Sequence, residues 1–199
     1  MARAFLREAG RYVALLDEPE RFMVHGLMEQ TRDLLSPDVE STGDAFADLV
    51  ASMGVSVATA DQDPPVLPGE ERDPALDRLL PDAHRADDAV AAEFRRLTEE
   101  GLRQRKSANL DLAMERLAAA SEDRVELDAA QAPAFLMALT DVRLLLGERM
   151  GMRTEEDAER LQDVMEHLDD DDPLGYAMAW YDFLTWLQET LTQALLGDG

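Results

Sequence analysis

Histidines are the first residues to test for chemistry, because imidazole serves both as a general base and as a metal ligand. The three histidines, His25, His84 and His167, are far apart, and none lies in an H-E-x-x-H motif or follows a Glu by three residues. The chain also lacks the motifs of a nucleophile elbow, a phosphate loop and a dinucleotide site. We therefore predict no catalytic residues, no metal and no cofactor.

The densest acidic run is the stretch of four aspartates at 169–172. Clustered carboxylates attract hard cations, but this run has neither the alternating ligand spacing nor the central Gly of a calcium loop. We interpret it as a turn between helices, with Asp172 as a helix cap. The surrounding acidic residues make this face a candidate for binding a basic protein surface, and its candidate contacts are Asp169, Asp170 and Asp171.

One basic stretch contrasts with the formal net charge of −24, which repels phosphate backbones and anionic membranes. It contains Arg95, Arg96, Arg103, Arg105 and Lys106. Two helices with a break near Lys106–Ser107 would be compatible with a helix-turn-helix that contacts DNA. The alternatives are contact with an acidic partner or with the chain's own acidic surface, and a solvated face with ion pairs one turn apart such as Arg96–Glu100.

Aromatic residues are concentrated near the C terminus, at Tyr176, Trp180, Tyr181, Phe183 and Trp186. Their spacing places most of them on or beside one apolar stripe of a helix, where they would pack in the core. An exposed Trp186 at a partner interface is the functional alternative.

The elements that carry these residues are predicted to be mainly helical. Residues 1–16 read as a short β-hairpin with its turn at Glu8-Ala9-Gly10, and Asp17 begins a helix with a capping pattern. Residues 55–72 are rich in proline and predict a mobile loop. A short extended piece is expected at 124–127. The last helix is expected to begin near Asp172-Pro173.

One helix is predicted to be central, because leucines recur along it at helical spacing. Asp128 is its expected cap, and its predicted core face consists of Phe135, Leu139, Val142, Leu145 and Leu146. Together these patterns predict a single domain over 1–199, a helical bundle of about six to eight helices with a short N-terminal β-hairpin.

Composition limits the cellular compartments and the classes of protein that fit this chain. The chain has no Cys, which excludes disulfides, thiolate metal sites and a cysteine nucleophile within it. No window approaches the roughly 20 apolar residues of a membrane span, and the N terminus does not resemble a signal peptide. We expect a cytoplasmic protein that does not enter membranes.

Three ordered blocks carry a resemblance to a known family. They read PALDRLLPDAHRADDAVAAEFRRLTEEGLR from Pro74, LTDVRLLLGERMG at 139–151, and DPLGYAMAWYDFLTWLQETL near the C terminus. In these blocks the chain resembles an actinobacterial helical family long described as a domain of unknown function, whose members are often labelled oxidative-stress transcriptional regulator AosR. The resemblance implies a regulatory role and transfers no catalytic or ligand residues. The expected redox sensor would be a cysteine, which this chain lacks.

These observations favour a non-enzymatic regulatory protein that acts mainly by protein–protein contact, with a transcription component as the expected partner. Two alternatives stay open. One is a regulator that binds DNA directly through the basic helix, and the other is a helical bundle with a metal or enzymatic site.

Overall fold

A computed structural model of the chain describes residues 2–36, 73–81, 88–165, 167 and 172–197, with the backbone alone for 88–98. These ranges contain three strands and six helices. In chain order they are β1 (Arg3–Glu8), β2 (Arg11–Leu15), α1 (Glu18–Leu35), α2 (Pro74–Leu79), α3 (Asp88–Ala118), β3 (Arg124–Leu127), α4 (Gln131–Arg149), α5 (Glu155–Met165) and α6 (Pro173–Leu196). The predicted mainly helical class with an N-terminal hairpin is confirmed. The loop predicted at 55–72 lies outside the described residues.

The hairpin is built on a two-residue turn. Ala9 and Gly10 have φ angles of 48° and 82°, and positive values at both central positions are the signature of a type I′ turn, which matches the twist of the flanking strands. β2 pairs antiparallel with β1 on one side and with β3 on the other. The extended piece predicted at 124–127 is therefore β3, the third strand of a small sheet. The sequence pattern did not predict that this strand pairs with the hairpin.

α4 lies at the centre of the described fold, in contact with α1, α2, α3 and α6. Its predicted core face is confirmed, since Phe135, Leu139, Val142, Leu145 and Leu146 are all buried. The sheet joins this core through Phe5, whose ring meets the ring of Phe135 edge to face at 5.8 Å. The hairpin and the bundle thus share one hydrophobic core.

Aspartates begin four of the described helices. At the start of α2, Asp73 accepts from Ala75 N–H at 2.8 Å, and the other three are the caps predicted from the sequence. The Asp17 carboxylate accepts a hydrogen bond from the Glu20 N–H at 3.0 Å, and the Glu20 carboxylate accepts one from the Asp17 N–H at 2.8 Å. Asp128 accepts hydrogen bonds from the first turn of α4, at Ala130 N–H and Gln131 N–H. Asp172 caps α6 by accepting from Leu174 N–H. These side chains satisfy backbone donors that a helix start leaves without partners.

The break predicted near Lys106–Ser107 is wrong. α3 continues without interruption from Asp88 to Ala118. Ser107 has the residue type of a helix cap, but the segment after it supplies the buried residues Leu110, Ala113 and Leu117 at helical spacing. Packing against α1 and α4 therefore keeps the helix continuous, and the basic stretch does not form a helix-turn-helix.

In the part of the chain that the structure describes, no helix combines the length and the apolar character that a membrane crossing requires.

Candidate functional site

The basic stretch on α3 is divided between the interior of the bundle and solvent. Arg103 and Lys106 lie against neighbouring helices, whereas Arg105 is exposed and, among the described residues, donates only to the Gly101 carbonyl one turn earlier, at 3.3 Å. Arg95 and Arg96 lie on the same helix, in the section where the backbone alone is described. Arg103 and Lys106, two of the cations of the predicted contact surface, are therefore used within the fold.

Arg103 links α3 to the C-terminal end of α1 by hydrogen bonds. Its guanidinium donates to the Leu35 carbonyl at 2.9 Å and to the Glu99 carboxylate at 2.9 and 2.6 Å. The last carbonyls of a helix lack intrahelical partners and carry partial negative charge, so a cation there is favourable. Only 15% of the Arg103 side chain is exposed. We infer a structural use for Arg103.

Lys106 and Asp141 form an ion pair between α3 and α4. The Lys106 ammonium donates to Asp141 Oδ1, and the two side chains are 12% and 1% exposed. Burial raises the pKa of Asp141, and the hydrogen bond and charge of Lys106 oppose that rise. The second oxygen, Oδ2, is buried without a hydrogen-bond partner in the described part of the chain. Lys106 is the only lysine in the chain, and its ammonium group is used inside the bundle.

A polar seam between α4 and α6 was not predicted. Arg143 on α4 donates to the Gln188 side-chain oxygen at 2.7 Å and to the Tyr181 hydroxyl at 3.2 Å, and its guanidinium carbon lies 4.9 Å from the centroid of the Tyr181 ring. Gln188 in turn donates to Thr140 Oγ1 at 3.0 Å. The seam fixes the rotation of α6 about its axis, because these groups must all meet α4 on one side. Its sequence signal is the polar pair Tyr181 and Gln188, which are two helical turns apart and therefore on one side of α6.

On another side of α6, three aromatic rings form a row at the surface. The rings of Trp180 and Phe183 meet edge to face at 5.3 Å between centroids, and those of Phe183 and Trp186 lie 5.7 Å apart. All three are partly buried against the core, whereas Tyr176 at the beginning of the helix is 51% exposed. The predicted apolar stripe is thus shifted, and the fully buried face of α6 is formed by Leu184, Leu187 and Leu191. We call Trp180, Phe183 and Trp186 the aromatic row.

Carboxylates flank the aromatic row. Asp182 and Glu189 are exposed and lie one turn to either side of Trp186, at i−4 and i+3, and α6 contains no basic residue. α5, which precedes α6 in the chain, is also acidic at the surface, with exposed Glu155, Glu156 and Asp163 and with Leu161 as its buried residue. The predicted contacts Asp169, Asp170 and Asp171 lie outside the described residues.

The histidines do not assemble a site in the described ranges. His25 on α1 is half-buried, His167 is exposed with its Nδ1 2.9 Å from the Asp163 carbonyl, and His84 lies outside the described residues. No three His, Asp or Glu side chains of the described chain gather closely enough to hold a metal ion.

The model of the family described as Domain of unknown function (DUF2017) matches residues 2–195, which is nearly the whole chain. The chain belongs to the DUF2017 family. No curated protein and no solved structure matches it. The resemblance to the family labelled AosR stays a prediction.

Proposed function

We propose that this DUF2017 protein is a non-enzymatic regulator that acts by contact with another protein, and that a transcription component is that partner. The observation that supports the proposal is the aromatic row on α6. The Phe183 ring contacts those of Trp180 and Trp186, and the three rings reach the surface beside the exposed Tyr176. Tryptophan and tyrosine are the residues that most often dominate the energy of protein interfaces, because they bury a large area at little cost in entropy.

Charge defines the chemistry of the partner. Trp186 lies between the exposed carboxylates of Asp182 and Glu189, and the chain carries 43 acidic against 19 basic residues. An arginine or lysine of the partner stacks on an indole face and pairs with a neighbouring carboxylate at the same time. We therefore expect a partner surface that combines apolar side chains with Arg or Lys. Net negative charge also accelerates encounter with such a surface.

The alternative of direct DNA binding has weaker support. Arg103 and Lys106 are bound to groups of the bundle, so Arg105 is the exposed cation in the described part of the basic stretch. A phosphate contact from α3 would have to rely on Arg105 together with Arg95 and Arg96. In addition, the net charge of −24 opposes approach to nucleic acid.

The test is affinity capture from the native host, followed by titration with the purified partner. Bait variants are Glu189→Lys and Trp186→Ala, and the matched controls are Glu29→Lys and Phe22→Ala, which change an exposed Glu and an exposed Phe on α1. We expect wild type and both controls to capture a basic protein, and nuclease treatment should not reduce this capture. Glu189→Lys should capture at least tenfold less of that protein.

Tryptophan fluorescence gives the second readout. Trp180 and Trp186 are the only tryptophans in the chain, so emission reports directly on the aromatic row. Binding of the partner at this face shifts the emission to shorter wavelength and protects it from acrylamide. Capture that is equal for Glu189→Lys and Glu29→Lys would contradict the proposal. Recovery of DNA alone, lost when Arg95, Arg96 and Arg105 are changed to Ala, would favour the DNA-binding alternative.

A further inference from the structure

A groove of about 470 Å³ lies between the outer edge of β1 and the C-terminal end of α6. Residues 4–8 of β1 form one wall, and Thr190, Gln193, Ala194 and Gly197 form the other. This volume is in the range of sites that take a small ligand or a short stretch of peptide. The groove is separate from the aromatic row, and the inference drawn from it does not depend on the proposed function.

The register of the hairpin decides which backbone groups face the groove. Glu8 pairs with Arg11 across the two-residue turn, and Arg7 with Tyr12 and Leu6 with Val13 follow. Residues that flank a two-residue turn exchange both of their hydrogen bonds, and pairs then alternate along an antiparallel ladder. Glu8 and Leu6 therefore bond to β2. Arg7, which lies between them, directs its N–H and C=O groups to the open edge. Beyond Leu6 the register shifts towards the Arg3–Leu15 pair, so the direction at Phe5 is given by its own hydrogen bond.

Thr190 on α6 shows that the Phe5 N–H also faces outward, because its hydroxyl oxygen accepts a hydrogen bond from that N–H. The Phe5 N–H donates to Thr190 Oγ1 at 3.2 Å, and the Thr190 hydroxyl donates to the Leu187 carbonyl at 3.0 Å. A side chain of α6 thus takes the place of a neighbouring strand at Phe5. The next outward residue, Arg7, has no such partner among the described residues. Its N–H and C=O groups therefore face the groove without a hydrogen-bond partner from the described chain. Free groups at a strand edge are a template for another strand.

The side chains beside this edge specify what the added strand carries. The Arg7 side chain is exposed and forms no ion pair with a described residue, although the chain as a whole is strongly acidic. The neighbouring Glu8 carboxylate is paired with Arg124 at 2.7 Å, so it does not cancel the charge of Arg7. Leu6 is 57% exposed. Residues directly opposite in a sheet share a face and interact.

We infer that the open edge of β1 binds an extended segment of a partner protein, which adds a fourth strand to the sheet. The segment has an acidic side chain opposite Arg7 and an adjacent apolar side chain opposite Leu6. Its backbone exchanges hydrogen bonds with Arg7, which supplies affinity, and the two side chains supply specificity.

The probe is a capped octapeptide of alternating Val and Thr, with one Asp beside the central Val, added to the full chain at up to millimolar concentration. We expect the amide resonances of Leu6 and Arg7 to shift and hydrogen exchange at Arg7 to slow. N-methylation of the peptide backbone at the residue opposite Arg7 should weaken binding at least tenfold, because the hydrogen bond to the Arg7 carbonyl is then lost. Replacing the Asp by Lys should weaken binding severalfold.

Two variants of the protein complete the test. Arg7→Pro removes the outward N–H without removing a β1–β2 hydrogen bond, and we expect at least a tenfold loss of peptide affinity. Arg7→Ala retains the backbone groups, so it should bind the Asp and Lys peptides equally. Unchanged resonances at millimolar peptide, or equal affinity for the N-methylated peptide, would overturn the inference. A concentration-dependent dimer that Arg7→Pro abolishes would assign the edge to a second copy of the chain instead.

Discussion

The Lys106 ammonium and the Asp141 carboxylate meet inside the bundle, where α3 crosses α4. The two residues are 35 positions apart in the chain, and each lies on the core-facing side of its helix, near the buried Leu110 and Val142. A buried ion pair seldom adds net stability, because the loss of hydration offsets the attraction, but removal of one partner leaves an uncompensated charge. The pair therefore fixes the register of α3 on α4 more than it strengthens the fold.

Lys106→Met should destabilise the protein by about 3–5 kcal/mol at neutral pH, because the Asp141 carboxylate is then buried without its partner. The double variant Lys106→Met/Asp141→Leu should recover most of this loss, since no buried charge remains. Urea unfolding of both single variants and of the double variant closes the cycle. Losses that simply add would show that the two side chains do not act as a pair.

The loss in Lys106→Met should depend on pH. Burial already raises the pKa of Asp141 above the usual 3.8, and Lys106 opposes that rise, so the pKa rises further in the variant. A carboxyl whose pKa is higher in the folded state binds its proton more tightly there, and stability falls as pH rises from 3.8 through the folded pKa. The difference from wild type should accordingly grow with pH and shrink on acidification. A difference that is constant with pH would contradict this account.

Local chemistry made the helix starts predictable, and the interior contacts of the charged residues were not. Asp17, Asp128 and Asp172 cap helices through groups within three residues, so the sequence contains all the partners. Lys106 finds its partner on another helix. The available signal was that Asp141 lies between the apolar Leu139 and Val142, and that Lys106 is the sole lysine beside many arginines.

Packing decided the points where local signals were ambiguous. Ser107 resembles a cap, but the buried Leu110, Ala113 and Leu117 after it, with the partly buried Leu102 before it, keep α3 continuous. β3 was visible as an extended piece, but its pairing with β2 requires a contact across more than one hundred residues. The concentration of aromatic residues on α6 was visible in the sequence. The separation of the aromatic row from the buried face depends on which side of α6 meets Arg143, which no helical periodicity reveals.

Arg103 and Arg105 should differ in their effect on stability, although both belong to the basic stretch. Arg103→Ala removes charge-assisted hydrogen bonds to the Leu35 carbonyl and to Glu99, and we expect a loss of about 1.5–3 kcal/mol. Arg105→Ala is the matched control, and because its side chain is exposed we expect a change within about 0.5 kcal/mol. Thermal or denaturant unfolding measures both. Equal, negligible changes would show that Arg103 is available for other partners.

The hairpin turn should be improvable at Ala9. A non-glycine residue at φ 48° carries strain, and Asn-Gly is the favoured pair in a type I′ turn. Ala9→Asn should therefore raise the free energy of unfolding by about 0.5–1 kcal/mol. Gly10→Ala should have the opposite sign: a Cβ there would meet no atom within 4 Å, so the loss comes from backbone strain at φ 82°. Destabilisation by Ala9→Asn would argue against this turn.

Glu148 should be the most sensitive acidic residue at the far end of α4. Its side chain is 6% exposed and accepts from Arg78 Nε at 3.1 Å and from Arg153 Nε at 2.7 Å. Arg78 also donates to the Met152 carbonyl at 2.8 Å, so Glu148 holds α2 and the segment after α4 together. Glu148→Gln keeps the shape and removes the charge, and we expect a loss of about 2–3 kcal/mol.

Glu156→Gln is the matched control for Glu148, because the Glu156 side chain is 85% exposed and lies 3.8 Å from Arg160. An exposed pair of this kind contributes less than about 1 kcal/mol. Hydrogen exchange adds a local readout: in Glu148→Gln the Leu80 amide, which donates to the Leu76 carbonyl at 2.7 Å, should exchange faster as α2 detaches more often. Unchanged exchange at Leu80 with a full loss of global stability would place the role of Glu148 in α4 itself, and not in holding α2.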